Sequence, residues 1–120
     1  MGGLLGPTAA LIERYMDLLA ARQRVTAGNI ANADTPGYRT RDIDFRAELE
    51  SYLSGAAAPQ PYPIAVVRES FGEGAKNDGN NVDLDQEMQK LAENVMRFTT
   101  ASTLLQKEIQ EVRSAIREGK

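Results

Sequence analysis

The chain has 120 residues, with 14 Lys plus Arg against 17 Asp plus Glu for a formal charge of −3, an apolar fraction of 42%, and no His, Cys or Trp. That makes one small domain, and the missing His and Cys exclude zinc fingers, haem ligation, Cys-His and Ser-His-Asp catalysis and disulfide frameworks, each of which needs one of those side chains. The mild acidity argues against a nucleic-acid binder, which would present a basic face to displace phosphate counterions, so scaffold and partner binding remain.

At the N-terminus no Lys or Arg precedes Arg14, so the basic n-region of a cleaved signal peptide is missing. The uncharged opening, Met1 to Ile12, is interrupted by Gly and Pro and is shorter than the roughly 20 apolar residues of a membrane span. Gly6 stands where N-myristoylation needs Ser or Thr. From Thr8 to about Ala33 the apolar residues recur at helical spacing in two rows, Leu11, Tyr15, Leu18 and Val25, and Ile12, Met16, Leu19 and Ile30. Thr8 after Pro7 is the expected N-cap. Two rows form a wide stripe, so this helix is expected to touch more than one neighbour. Asn29 and Asn32, near its end, suit either capping of the helix or hydrogen bonding across an interface.

The middle, residues 34–82, is rich in Gly, Pro and Asn. Thr35-Pro36-Gly37-Tyr38 has Pro then Gly in the central positions of a β-turn, the type II pattern, which ends the first helix sharply. Asp42, Ile43, Asp44 and Phe45 alternate, and Arg46, Ala47, Leu49 and Tyr52 then read as a short helix. Ser54 to Pro63 reads as a loop, Ile64 to Val67 as a short strand, and Gly72 to Asn81 as a flexible loop.

The C-terminal segment carries the clearest periodicity. Leu84, Met88, Leu91, Val95, Phe98, Ser102, Leu105, Ile109, Val112 and Ile116 follow at alternating steps of four and three, the a/d seam of a heptad repeat broken only by Ser102. Asp83 with Gln86 forms a variant capping box, and Gly119 provides a stop. A helix from Leu84 to Glu118 would be about 50 Å long and the N-terminal one about 40 Å. A compact domain of this size has a radius of gyration near 13 to 14 Å, so two such helices do not fit a globule. The expected fold is mainly α and elongated: two long terminal helices in a coiled-coil-like antiparallel hairpin, an irregular middle with a short helix and little β, completed by assembly. The expected organisation is a first axial-core helix over 1–33, a turn and flexible middle over 34–82, and a heptad helix over 83–120. The helix-packing interface is assigned to Leu11, Leu18, Val25, Leu84, Met88, Leu91, Val95, Phe98, Leu105, Ile109, Val112 and Ile116.

Chemistry has few candidates. Asp42, Asp44, Glu48 and Glu50 supply the two carboxylates of a glycosidase, but they interleave with Arg39, Arg41 and Arg46, which reads as a solvated surface. Asp78, Asn80, Asp83, Asp85 and Glu87 suggest a calcium loop, but no frame supplies both the Gly and the Glu that an EF-hand requires. Gly72, Gly74 and Gly79 lack a phosphate-loop spacing. The expectation is no catalytic, metal or cofactor site.

The run Asn29-Ile30-Ala31-Asn32-Ala33-Asp34-Thr35-Pro36-Gly37-Tyr38 resembles the signature of the bacterial flagellar rod and hook family. Arg39 to Phe45 and Asp78 to Met88 look more like its proximal rod members than its hook or distal-rod members, and the resemblance covers essentially the whole chain. It implies that Asn29, Asn32, Thr35, Pro36, Gly37 and Tyr38 form the family turn. It further implies a structural, non-enzymatic subunit of the basal-body rod in the periplasmic space, exported unfolded by the flagellar type III apparatus without a cleaved signal peptide. Its implied partners are other copies of the chain, other rod proteins, and a membrane-ring protein or small rod adaptor at the base, with no nucleic acid or small-molecule substrate. The rival reading is a soluble homo-oligomeric coiled-coil adaptor unrelated to flagella.

Overall fold

The computed structural model describes residues 6–55, 67–69 and 79–119, with side chains for all of these except 67–69. Most of the expected 54–63 and 72–81 loops, and the strand start at Ile64, lie outside the described residues. The first helix, α1, spans Gly6–Ala31. It begins two residues before the expected cap, and Thr8 lies inside it. Pro7 explains the difference: its locked φ suits the first helical turn, where its missing N–H costs nothing, and Gly6 ahead of it turns the chain with φ of 82°.

The exit of α1 tightens and then reverses. Ala33 N–H donates to Ile30 O at 3.2 Å and Thr35 N–H to Asn32 O at 3.0 Å. Tyr38 N–H then donates to Thr35 O at 3.2 Å, with Gly37 at φ of 75°, which is the type II turn that Pro36-Gly37 dictates. A short strand β1, Arg41–Ile43, pairs antiparallel with β2, Val67–Glu69, in the register Arg41↔Glu69, Asp42↔Arg68 and Ile43↔Val67. Between them α2, Phe45–Leu53, is capped by Asp44, whose side chain accepts from Ala47 N–H at 3.1 Å.

The last helix, α3, spans Leu84–Glu118. Asp83 caps it by accepting from Gln86 N–H at 3.3 Å, and Gly119 ends it. It lies antiparallel to α1: Glu87 meets Asn29, Asn94 meets Leu19 and Gln23, and Arg97 meets Tyr15. The radius of gyration is 18.0 Å and the long axis 68 Å, as the two helix lengths require. The wide stripe of α1 does serve two neighbours. Leu18 and Val25 pack with Ile43, Phe45 and Leu49 on the β1 and α2 side, while fully buried Leu19 lies toward α3. Phe45 is held between the edge of Tyr15, at 5.8 Å between centroids, and the Arg22 guanidinium, at 5.6 Å from its ring.

Candidate functional site

The Asn-rich turn is clasped onto the base of α3. Asn29, wholly buried, uses its full bonding capacity. Its Nδ2 donates to Arg41 O and to Glu87 Oε1, both at 2.8 Å, and its Oδ1 accepts from Tyr38 Oη at 2.9 Å and Arg41 N–H at 3.0 Å. Asn32 takes a different part, donating from Nδ2 to Gly28 O at 2.9 Å and accepting from Thr35 Oγ1 at 2.9 Å. It closes the end of α1, while Asn29 ties that end to β1 and α3.

From the other side, residues 79–82 grip the same turn. Asn80, also wholly buried, donates to Asn32 O at 2.9 Å and Thr35 O at 2.7 Å and accepts from Val82 N–H at 2.8 Å. Asn81 accepts from Thr40 N–H at 2.7 Å, and its own N–H donates to Tyr38 O at 3.2 Å. Gly79, with φ of 85°, lays its backbone against Gly37; a Cβ there would sit 3.5 Å from Gly37 Cα. Space therefore permits a side chain at Gly79, and the left-handed backbone is what requires glycine.

An ionic chain continues the clasp. Glu87, buried in α3, pairs with Lys90 at 3.2 Å; Lys90 reaches Asp42 at 3.5 Å; and Asp42 accepts two hydrogen bonds from Arg22 at 2.9 and 3.0 Å. Burial pushes the Asp42 carboxyl up, but the Arg22 and Ile43 N–H bonds and the charges of Arg22 and Lys90 together hold it below the ordinary carboxylate range. Asp17 behaves oppositely: burial raises it, only partly offset by Arg14.

The acidic cluster is fully occupied in structural tasks. Asp42 serves the ionic chain, Asp44 caps α2, Glu48 pairs with buried Arg14 at 3.2 Å, and Glu50 pairs with Arg46 at 3.3 Å.

The heptad row sits beside the α1 contact and not beneath it. The α3 residues buried against α1 are Glu87, Asn94 and Ala101, one heptad apart. Leu84, Met88, Val95, Phe98 and Ile116 are between 41% and 65% exposed, and Leu91, Leu105, Ile109 and Val112 are half-buried. On α1, Leu18 is buried and Leu11 and Val25 half-buried. Sequence reasoning passed over the Glu87, Asn94 and Ala101 row because two of the three are polar. The exact heptad spacing of a carboxylate, an amide and a small residue was the available signal. Among the described residues, two largely apolar grooves flank the helix pair. One is walled by Leu11, Tyr15, Leu53, Met96 and Leu104, the other by Leu19, Ala20, Val95 and Phe98.

Comparison with known proteins coincides with this geometry. The family described as flagella basal body rod protein matches residues 16–39, the second half of α1 and the clasped turn. The chain is 32% identical to flagellar basal body rod protein FlgB of Escherichia coli, over 89% of this chain and 91% of that protein. It is 35% identical to FlgB of Borrelia hermsii over 74% and 80%, and 34% identical to FlgB of Cereibacter sphaeroides over 83% and 86%. With similarity of this extent, and the family turn built into its main polar joint, the chain belongs to the FlgB family of flagellar basal body rod proteins.

Proposed function

We propose that the chain is a structural subunit of the proximal rod of the bacterial flagellar basal body, part of the drive shaft that transmits torque and surrounds the export channel. The observation that carries the mechanism is the open heptad row of α3. Five of its large apolar residues are more than 40% exposed in the subunit, although their period is that of a coiled-coil seam. Exposed apolar residues recurring along one helix are a binding surface, and other helices of the same shaft are the partners that the period fits.

Stiffness would come from many such seams in parallel, each of them modest. A head-to-tail contact that does not close on itself generates a helical array, the geometry of a shaft. The role is structural and not catalytic. The partners are other copies of the chain, other rod proteins, and a ring protein or small adaptor at the base. The location is the rod within the periplasmic space, reached through the flagellar export apparatus without a cleaved signal peptide. This reading is supported by the names of the relatives and by described helices of which none is long and apolar enough to cross a membrane.

Leu105, half-buried on the heptad row, tests the reading. Leu105→Asp is expected to abolish incorporation into rods and motility while secretion of the subunit continues; normal motility would sink the shared seam. The coiled-coil adaptor reading is separated by sedimentation of the purified chain: a rod subunit is monomeric when free, whereas an adaptor forms a closed oligomer.

A further inference from the structure

Helix α3 has two neighbouring strips that can pack on α1, and the one that does so is the more polar. Glu87, Asn94 and Ala101, buried in the contact, each stand one residue before Met88, Val95 and Ser102 of the heptad row. Met88 and Val95 are 54% and 53% exposed, while Leu91 and Leu105 of the same row are half-buried. Turning α3 about its own axis by roughly 50°, half the angular step between successive residues, would exchange the two strips. Leu91 and Leu105 would stay at the contact, Met88 and Val95 would move onto α1, and Asn94 would move out to solvent. Space for that turn exists. Leu19 and Ala20 of α1 stand across a groove of about 340 Å³ from Val95 and Phe98, with Gln23, Arg24 and Thr99 as its polar lining. Hydrophobic burial favours the turned arrangement, because it takes two large side chains out of water and fills the apolar part of the groove.

The bonds that oppose the turn are concentrated at Asn94. It is 4% exposed, and its Nδ2 donates to Leu19 O at 2.7 Å and to Gln23 Oε1 at 2.9 Å. Its Oδ1 finds no donor among the described residues, so an apolar side chain of similar size would suit the burial of this position better. A turn of roughly 50° shifts each Cα by about 2 Å. Glu87, bonded to Asn29 at 2.8 Å, has three side-chain torsions with which to follow such a shift; the short Asn94 amide does not and loses both acceptors. A buried polar residue in a helix seam selects one packing among several, because only that packing gives it a partner, and it does so at a cost in stability.

We propose that Asn94 is a positioning residue that locks the rotation of α3: it keeps Met88 and Val95 turned outward, and without it the subunit closes that part of the row onto its own α1. The clasp at Asn29 and Asn80 sets how far α3 lies along α1, whereas this lock sets which face α3 turns. The lock is a property of the free chain. That the row it holds open is used by a partner rests on the rod reading above.

The chain contains no Cys, so a single introduced thiol reports its own accessibility. Two reporters on the purified full chain distinguish rotation from loosening. Ala20→Cys lies half-buried in the groove that the turn closes, and Ala101→Cys lies on the polar strip that the turn lifts out. When Asn94→Leu is added to each, maleimide labelling of Ala20→Cys should slow and that of Ala101→Cys should quicken. Each change should be about tenfold, the shift in population that a lost net hydrogen bond supplies. Asn94→Ala, which cannot overpack the site, should move both rates the same way as Asn94→Leu. The proposal is overturned if neither variant moves the two rates in opposite directions: faster labelling at both positions is general loosening, and unchanged rates mean that Asn94 holds nothing. Cells carrying Asn94→Leu should also lose motility. Opposite shifts in labelling with full motility would keep the lock and overturn instead the use of the row in the rod.

Discussion

Asn29 shows how one side chain can determine a joint. Its four hydrogen bonds satisfy the backbone of β1, the hydroxyl of Tyr38 and a buried carboxylate of α3. Asn29→Ala leaves the buried Glu87 carboxylate and the two part-buried Arg41 backbone groups without their Asn29 partner, and a loss of about 3 kcal/mol is expected from urea unfolding of the free subunit. The Asp42 carboxyl carries a pH dependence of definite sign. Because its folded value is depressed, its contribution to stability is fully present above the ordinary carboxylate range and is lost as pH falls through the depressed value. Asp42→Asn should therefore lower the melting temperature at neutral pH, and the gap from the unsubstituted chain should close on acidification below the usual carboxylate range. An unchanged gap would assign Asp42 a role in packing alone.

At the scale of elements, α2 is attached by few contacts, so its docking depends on particular ones. Phe45 and Leu49 supply its apolar contact to α1, and Glu48 pairs with Arg14, whose side chain is only 5% exposed. Removing one partner of a buried pair costs more than the pair contributes, because the remaining charge stays desolvated. Glu48→Ala should cost about 3 kcal/mol, and hydrogen exchange over Phe45–Leu53 should accelerate more than exchange over α3. Equal acceleration in both helices would mean that α2 unfolds only with the whole subunit. Helix α3 was legible at this scale from its first residue to its last. Asp83, Gln86 and Gly119 state both ends locally, and capping depends on neighbours in sequence. The start of α1 was not, since Pro7 is compatible with either side of a helix boundary and only the backbone at Gly6 settles which.

Taken whole, the described residues form an elongated helical hairpin with a polar joint at one end, and at the other α3 runs on past the described start of α1. Buried polar groups dominate the joint, among them Asn29, Asn80, Asn81 and Glu87, while large apolar residues along α3 stay exposed. This inverts the usual distribution for a free-standing domain and suits a subunit whose apolar rows are completed by neighbours. Polar networks have directional partners, so the joint holds α1 and α3 in one register even though few large apolar side chains are buried among the described residues.

The sequence by itself determined most of the elements: helix periods, the caps of α3, the Pro36-Gly37 turn and the family signature are written in neighbouring residues, where short-range geometry suffices. The assignments that needed distance were decided by the tertiary structure. No spacing rule says that Asn29 meets Glu87 across 58 residues, that Asn80 grips the turn, or that the Glu87, Asn94 and Ala101 row faces α1. Periodicity identifies an apolar row but not its partner. Only the packing of α1 beside that row shows that five of its large apolar residues stay exposed in the subunit.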